Sequence, residues 1–231
     1  MPARVLGYRG PVHPGPPAAP AVGPTARLRT QSTALVLAGA AGLAVALGVL
    51  TAYAQGWLPE ETNSLANSVG TWVLVAFILA LVPATPTGAV ACGVVTLLGL
   101  LAGYVIGAAL RDFTSSTSLI IFWGLAAALA GPLVGLSASW VRSGRPARVA
   151  AGAGTMVGVL VGEGVYGLSF IADTTSPPYW WAEIVIGVAV FGALSVSCRL
   201  RLRWVAVAAL VAAAVGSTFV VVYSQDLISL L

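Results

Sequence analysis

The sequence predicts an all-α fold: a polytopic transmembrane helical bundle of about seven spans. Three observations predict it. Apolar residues make up 58% of the 231 and charged residues only 8%, where a soluble domain carries about 25%; mean hydropathy is +0.96. The apolar residues gather into seven runs, near 34–55, 67–83, 88–110, 118–140, 149–172, 180–198 and 204–223. Most of these reach the ~20 residues a helix needs to cross a ~30 Å hydrocarbon core. Lastly, all 11 basic residues are arginine, and seven alternating spans put every one but Arg111 on the same side.

Residues 1–31 are of another kind. Seven of the 14 prolines lie there, beside His13, the single histidine. Such a stretch lacks apolar periodicity and is expected to be a disordered cytoplasmic tail. Residues 32–226 form the membrane domain, and 227–231 a short C-terminal end.

The first run follows Arg27 and Arg29 and ends near "AYA" at 52–54, which resembles a signal-peptidase site. Cleavage would leave six spans, but the run is long for a signal peptide, so a retained first span is the preferred reading. The second run is short until "PEETNSLANS" extends it. Pro59 suits a first helical turn, and Glu60 and Glu61 suit its positive dipole end. A continuous helix from there lines up Glu60, Asn63, Asn67 and Thr71 on one face.

The remaining runs carry small residues at four-residue steps. The third has Gly99, Gly103 and Gly107; the fourth Ala127, Gly131, Gly135 and Ser139; the fifth Gly154, Gly158 and Gly162. The seventh has Ala208, Ala212 and Gly216, and the first has Ala34, Ala38, Gly42 and Ala46. Lipid tails are as apolar as leucine, so close backbone approach between small residues does much of the work of helix association. These glycines are therefore assigned to helix packing. Pro132 removes a backbone donor inside the fourth run and predicts a kink.

Arginine placement sets the sidedness. Arg4, Arg9, Arg27 and Arg29 precede the first span, Arg142, Arg145 and Arg148 follow the fourth, and Arg199, Arg201 and Arg203 follow the sixth. The positive-inside rule makes these segments cytoplasmic, with the N-terminus inside and the C-terminus extracellular in a cell membrane. All seven tryptophans fall near span ends, where amphipathic indoles prefer to sit. Cys92 and Cys198 are neither a disulfide framework nor a metal motif, and read as small packing residues.

Glu163 is the one charge-bearing residue of "VGVLVGEGVYGLSF" (157–170). Its depth, about 13 Å from the outer end of the fifth run, is too great for the side chain to reach water. An ionised carboxylate in hydrocarbon costs at least about 2.5–3.5 kcal/mol. Glu163 must therefore face the bundle interior, with a partner, a water-filled cavity or a proton of its own. Tyr166, three residues on, Tyr104, and the stripe holding Asn67 are candidate neighbours, with Glu183 and Glu60 near the mouth of a polar outer cavity.

Other chemistry is not apparent in the sequence. It shows no metal cluster, P-loop, dinucleotide fingerprint or Gly-x-Ser-x-Gly elbow, so no catalytic, cofactor-binding or metal residue is assigned and an enzyme is not expected. The arginines are scattered between apolar runs, which argues against nucleic acid as a partner. The expected partners are the lipid bilayer and either a second copy or an unidentified membrane protein.

The stretches "QGWLPEETNSLANSVGTWVLVAF" (55–77), "GYV" (103–105), "FWGLAAALAGPLVGL" (122–136) and "GEGVYG" (162–167) resemble an uncharacterised family of small multi-pass membrane proteins of high-GC bacteria. The likeness covers about residues 35–220 and implies no activity. "AGPLVG" also resembles membrane subunits of vitamin uptake systems, which capture substrate from the outer face. Two functional readings follow: a non-enzymatic bundle acting as an accessory or interaction protein, and a small transporter or substrate-capturing subunit with an outward acidic cavity around Glu163.

Overall fold

A computed structural model describes the backbone of residues 24–224 and the side chains of 32–224. The described residues are helical throughout their regular structure: α1 (Pro24–Trp57), α2 (Glu60–Asn63), a 3₁₀ turn (Ser64–Ala66), α3 (Val69–Ala80), α4 (Pro86–Ala109), α5 (Thr117–Val141), α6 (Pro146–Phe170), α7 (Pro177–Ser197) and α8 (Leu202–Ser224). Six of these helices are long and apolar enough to span a membrane, and a seventh span results if the bent pair Glu60–Ala66 and Val69–Ala80 counts as one. The chain is a transmembrane helical bundle. α1 begins at Pro24, inside the stretch assigned to the tail; residues 1–23 and the C-terminal end lie outside the described residues.

Helix starts follow local chemistry. α4, α6 and α7 each open with a proline at the first turn, where the missing N–H is not needed. The Thr85 hydroxyl caps α4 by accepting from the Gly88 N–H at 3.0 Å. Asp112 and Arg199, just beyond α4 and α7, adopt left-handed φ values of 60° and 50°. That turn lets Phe113 and Leu200 donate back to Ala108 and Ser195, satisfying carbonyls that the helix ends would otherwise leave open.

α1, α4 and α5 pack side by side, as do α7, α6 and α8; α5 meets α6, and α3 lies among α4, α5 and α6. α6 is the innermost of the long spans: 67% of its apolar 18-residue stretch is buried, against 11% of that of α8. The glycine rows sit at these contacts. A Cβ on Gly103 would strike the Val45 carbonyl of α1, and one on Gly99 or Gly107 would lie 2.9 and 2.8 Å from the Cβ atoms of Ala44 and Ala52. Gly131 and Gly135 face the α4 backbone, each with a neighbouring Cα 2.6 Å away from where its Cβ would be. Gly154, Gly158 and Gly162 run along Ala208, Ala212 and Gly216 of α8.

Two expectations are corrected. The small row Ala34, Ala38, Gly42 and Ala46 faces outward, and nothing lies near Gly42. α1 instead turns Ala40, Ala44, Gly48 and Ala52 toward α4. Both rows have the four-residue step, and an alanine-rich helix offers several such faces; which one is buried depends on the shape of the partner. The second apolar run is not one helix either. It breaks at Asn67 and Ser68 and bends by 48°, so Glu60, Asn63, Asn67 and Thr71 do not form a stripe.

Candidate functional site

The break in the second span creates the site. α3 has 12 residues, about 18 Å of rise, so its N-terminus lies inside the bundle rather than at a membrane surface. The first turn of any helix has N–H groups without intrahelical partners. Where water is absent, something else must accept from them. Ser68, the N-cap residue, accepts from the Thr71 N–H at 3.1 Å. Glu163 of α6 takes the other two: its Oε1 accepts from the Val69 N–H at 2.9 Å and its Oε2 from the Gly70 N–H. The Trp72 N–H then begins the regular pattern by donating to the Ser68 carbonyl.

Glu163 is thus a capping carboxylate supplied by another helix. Its two oxygens meet the two N–H donors that the first turn of α3 leaves open. Gly70 is required by the fit, because a Cβ would run into the carboxyl groups of Glu183 and Glu163.

Glu183 of α7 completes the cluster. The Ser68 hydroxyl lies 3.0 Å from Glu163 Oε2 and 3.3 Å from Glu183 Oε1. A hydroxyl has one proton to donate and two lone pairs to accept with. If Ser68 donates to Glu163, its contact with Glu183 is a hydrogen bond only when Glu183 supplies the proton. The other Glu183 oxygen, Oε2, is buried with no partner. Ser68, Glu163 and Glu183 are 1%, 5% and 4% exposed, so the cluster is sealed.

The glycines of "GEGVYG" allow this closure. Gly162 faces Gly216 of α8, while Gly164 and Gly167 take the Trp180 end of α7 against the α6 backbone. Trp180 is buried and donates its indole N–H to Thr175 Oγ1 at 2.8 Å. That contact brings α7, and with it Glu183, up to α6. Thr71 and Tyr179 hydroxyls meet at 3.1 Å beside the cluster.

The other sequence candidates are placed elsewhere. Tyr166 stacks on Phe170 and meets Tyr223 of α8 edge-on, with ring centres 5.4 and 5.5 Å away. Tyr104 donates to Gln55 Oε1 at 3.2 Å and packs edge-on against Trp72. Glu60 is exposed on α2, and Asn67 is exposed at the break. Of the candidates, Glu163 and Glu183 come together in one buried cluster, joined by Ser68, which the sequence reading did not single out. The signal for it was present: Ser68 stands just before the apolar "VGTWVL", a usual N-cap position.

On the other side of Ser68 lies a half-open groove of about 1280 Å³. α5 and α8 form its walls, and α3, α4 and α6 its floor. Most of its lining is apolar, as with Leu101, Leu129, Val159 and Phe219. Polar groups gather at the end away from the arginine-rich loops, where Gln55, Asn67, Tyr104, Arg111, Ser115 and Ser116 line it. Glu163 and Glu183 do not line it. Among the described residues no group of three or more His, Cys, Asp or Glu could hold a metal ion.

A helical membrane bundle with one discontinuous span, capped across the bundle by a buried glutamate, is the class that this fold and site define. The chain belongs to DUF6518, a family of unknown function, which matches residues 26–227. No curated protein and no solved structure matches it.

Proposed function

We propose that this chain is a non-enzymatic membrane protein that works by binding, taking an apolar or amphipathic ligand into the groove between α5 and α8. The groove carries the reading. At about 1280 Å³ it exceeds the ~300–1,000 Å³ of a drug-sized site, and it joins an apolar trough to a polar end. The carboxyl cluster supports a structural role for Glu163, since both its oxygens are engaged by the α3 backbone. The arginine distribution supports a cell-membrane topology with the N-terminus and both arginine loops cytoplasmic. Protein purified in mild detergent should carry an extractable lipid-like compound. Ala214→Trp, which fills the groove from an exposed α8 position, should lose that compound at an unchanged unfolding temperature. Equal retention by both proteins would refute groove binding.

A second reading, a proton-coupled transporter, is favoured by one observation. The unpartnered Glu183 oxygen sits at the end of a discontinuous helix, the arrangement in which transporters hold substrates and coupling ions. Under that reading Glu183→Gln abolishes proton uptake coupled to substrate in proteoliposomes; under the binding reading no such flux exists to lose.

A further inference from the structure

We propose that the groove is a site for a membrane lipid with an anionic phosphate headgroup, its headgroup held at Arg111 and its acyl chain lying between α5 and α8. This rests on the binding reading above and adds the ligand's charge, orientation and source.

Charge complementarity points to the headgroup. Arg111 lines the polar end of the groove. It donates to the Ala52 carbonyl, and its guanidinium lies over the rings of Tyr53 and Phe113, 5.6 and 5.0 Å from their centres. No carboxylate pairs with it among the described residues. A guanidinium has five N–H donors, so one carbonyl and two ring faces leave donors free to meet a phosphate, whose geometry suits a planar fork. The adjacent α5 begins at this same end, and its N-cap residue Ser116 makes no side-chain cap bond. The start of a 25-residue helix adds positive potential where the headgroup would lie.

The groove itself points to an acyl chain. On α5 its lining runs from Leu119 to Val134, about 22 Å of helix. That exceeds the ~15 Å half-thickness of a ~30 Å hydrocarbon core, so a chain entering beside Arg111 runs the depth of its leaflet.

The test compares dioleoyl phosphatidylglycerol with dioleoyl phosphatidylcholine, which share chains and differ in net charge, by native mass spectrometry of the full chain released from detergent. Wild-type protein should retain the anionic lipid at least tenfold more than the zwitterionic one. Arg111→Gln should bring that ratio close to one while lipid is still bound, and Arg111→Lys, which keeps the charge, should preserve most of it. Ala214→Trp should remove both lipids. Equal retention of the two lipids by wild type, or a preference that survives Arg111→Gln, overturns the headgroup assignment and leaves the groove as a binding site. Retention of neither lipid by wild type, or of both by Ala214→Trp, overturns the groove reading itself. A lipid-free dimer as the species released, dispersed by Ala214→Trp, overturns the proposal in favour of a second copy as occupant.

Discussion

Replacing Glu163 by alanine tests the physical argument most directly, because two accounts of a buried carboxylate predict opposite signs. If Glu163 were only a buried charge, its removal would relieve a desolvation cost and leave the bundle as stable or more so. If it caps α3, its removal strands the Val69 and Gly70 N–H groups, and Ser68 loses one of its two carboxyl partners. Each buried donor left unmade costs about 1–3 kcal/mol, so two of them cost about 2–6 kcal/mol. Glutamine keeps one oxygen to accept and points an NH₂ at the other donor, so Glu163→Gln should cost about half as much, ~1–3 kcal/mol. Reversible unfolding in mixed micelles reads the free energies, and hydrogen exchange reads the two amides individually. The expected order is wild type, then Glu163→Gln, then Glu163→Ala, with faster exchange at residues 69 and 70 in both variants. An alanine variant that unfolds like wild type, with those amides still protected, would refute the capping account.

Three further outcomes are expected. Glu183→Gln should unfold within about 1 kcal/mol of wild type, because its amide can either accept from or donate to the Ser68 hydroxyl; a loss as large as that of Glu163→Ala would show that the cluster needs the carboxyl group of Glu183 itself. Gly103→Leu and Gly158→Leu should each cost at least ~1–3 kcal/mol by forcing α1 or α8 away, while Gly42→Ala, with open space around it, should gain up to about 1 kcal/mol of helix propensity; equal effects in thermal unfolding would dissolve the distinction between seam and lipid face. Cys198 is half-buried beside the arginines that follow α7, and Cys92 is fully buried. A membrane-impermeant maleimide should therefore label only Cys198, and only in inverted vesicles; labelling from the external face of intact cells would reverse the proposed orientation.

Much of the bundle was legible because lipid makes simple demands. Spans must be apolar over a fixed length, so α4, α5, α6 and α8 appear in the sequence to within a few residues of their ends. The glycine rows of α4 and α6 were legible for a related reason: backbones meet closely only where side chains are absent. α1 was harder, since alanines at two phases both satisfy the four-residue step, and only the close approach of Gly48 to the Leu100 carbonyl and Gly103 Cα of α4 selects its row. Glu183 and Glu163 were visible as charges out of place, but not as partners, because 19 residues of chain lie between them and the contact of Trp180 with Gly167 brings them together.

By itself, the sequence determined the solvent of this protein and most of its helices, since hydropathy and arginine placement are properties of residues one at a time. The break at Ser68, the capping of α3 by Glu163, and the groove with Arg111 at its end were decided only in three dimensions. A span with a free N-terminus inside the membrane is stable only when another helix brings an acceptor to it, and a groove exists only between helices that fail to close. Both depend on distances between segments far apart in the chain.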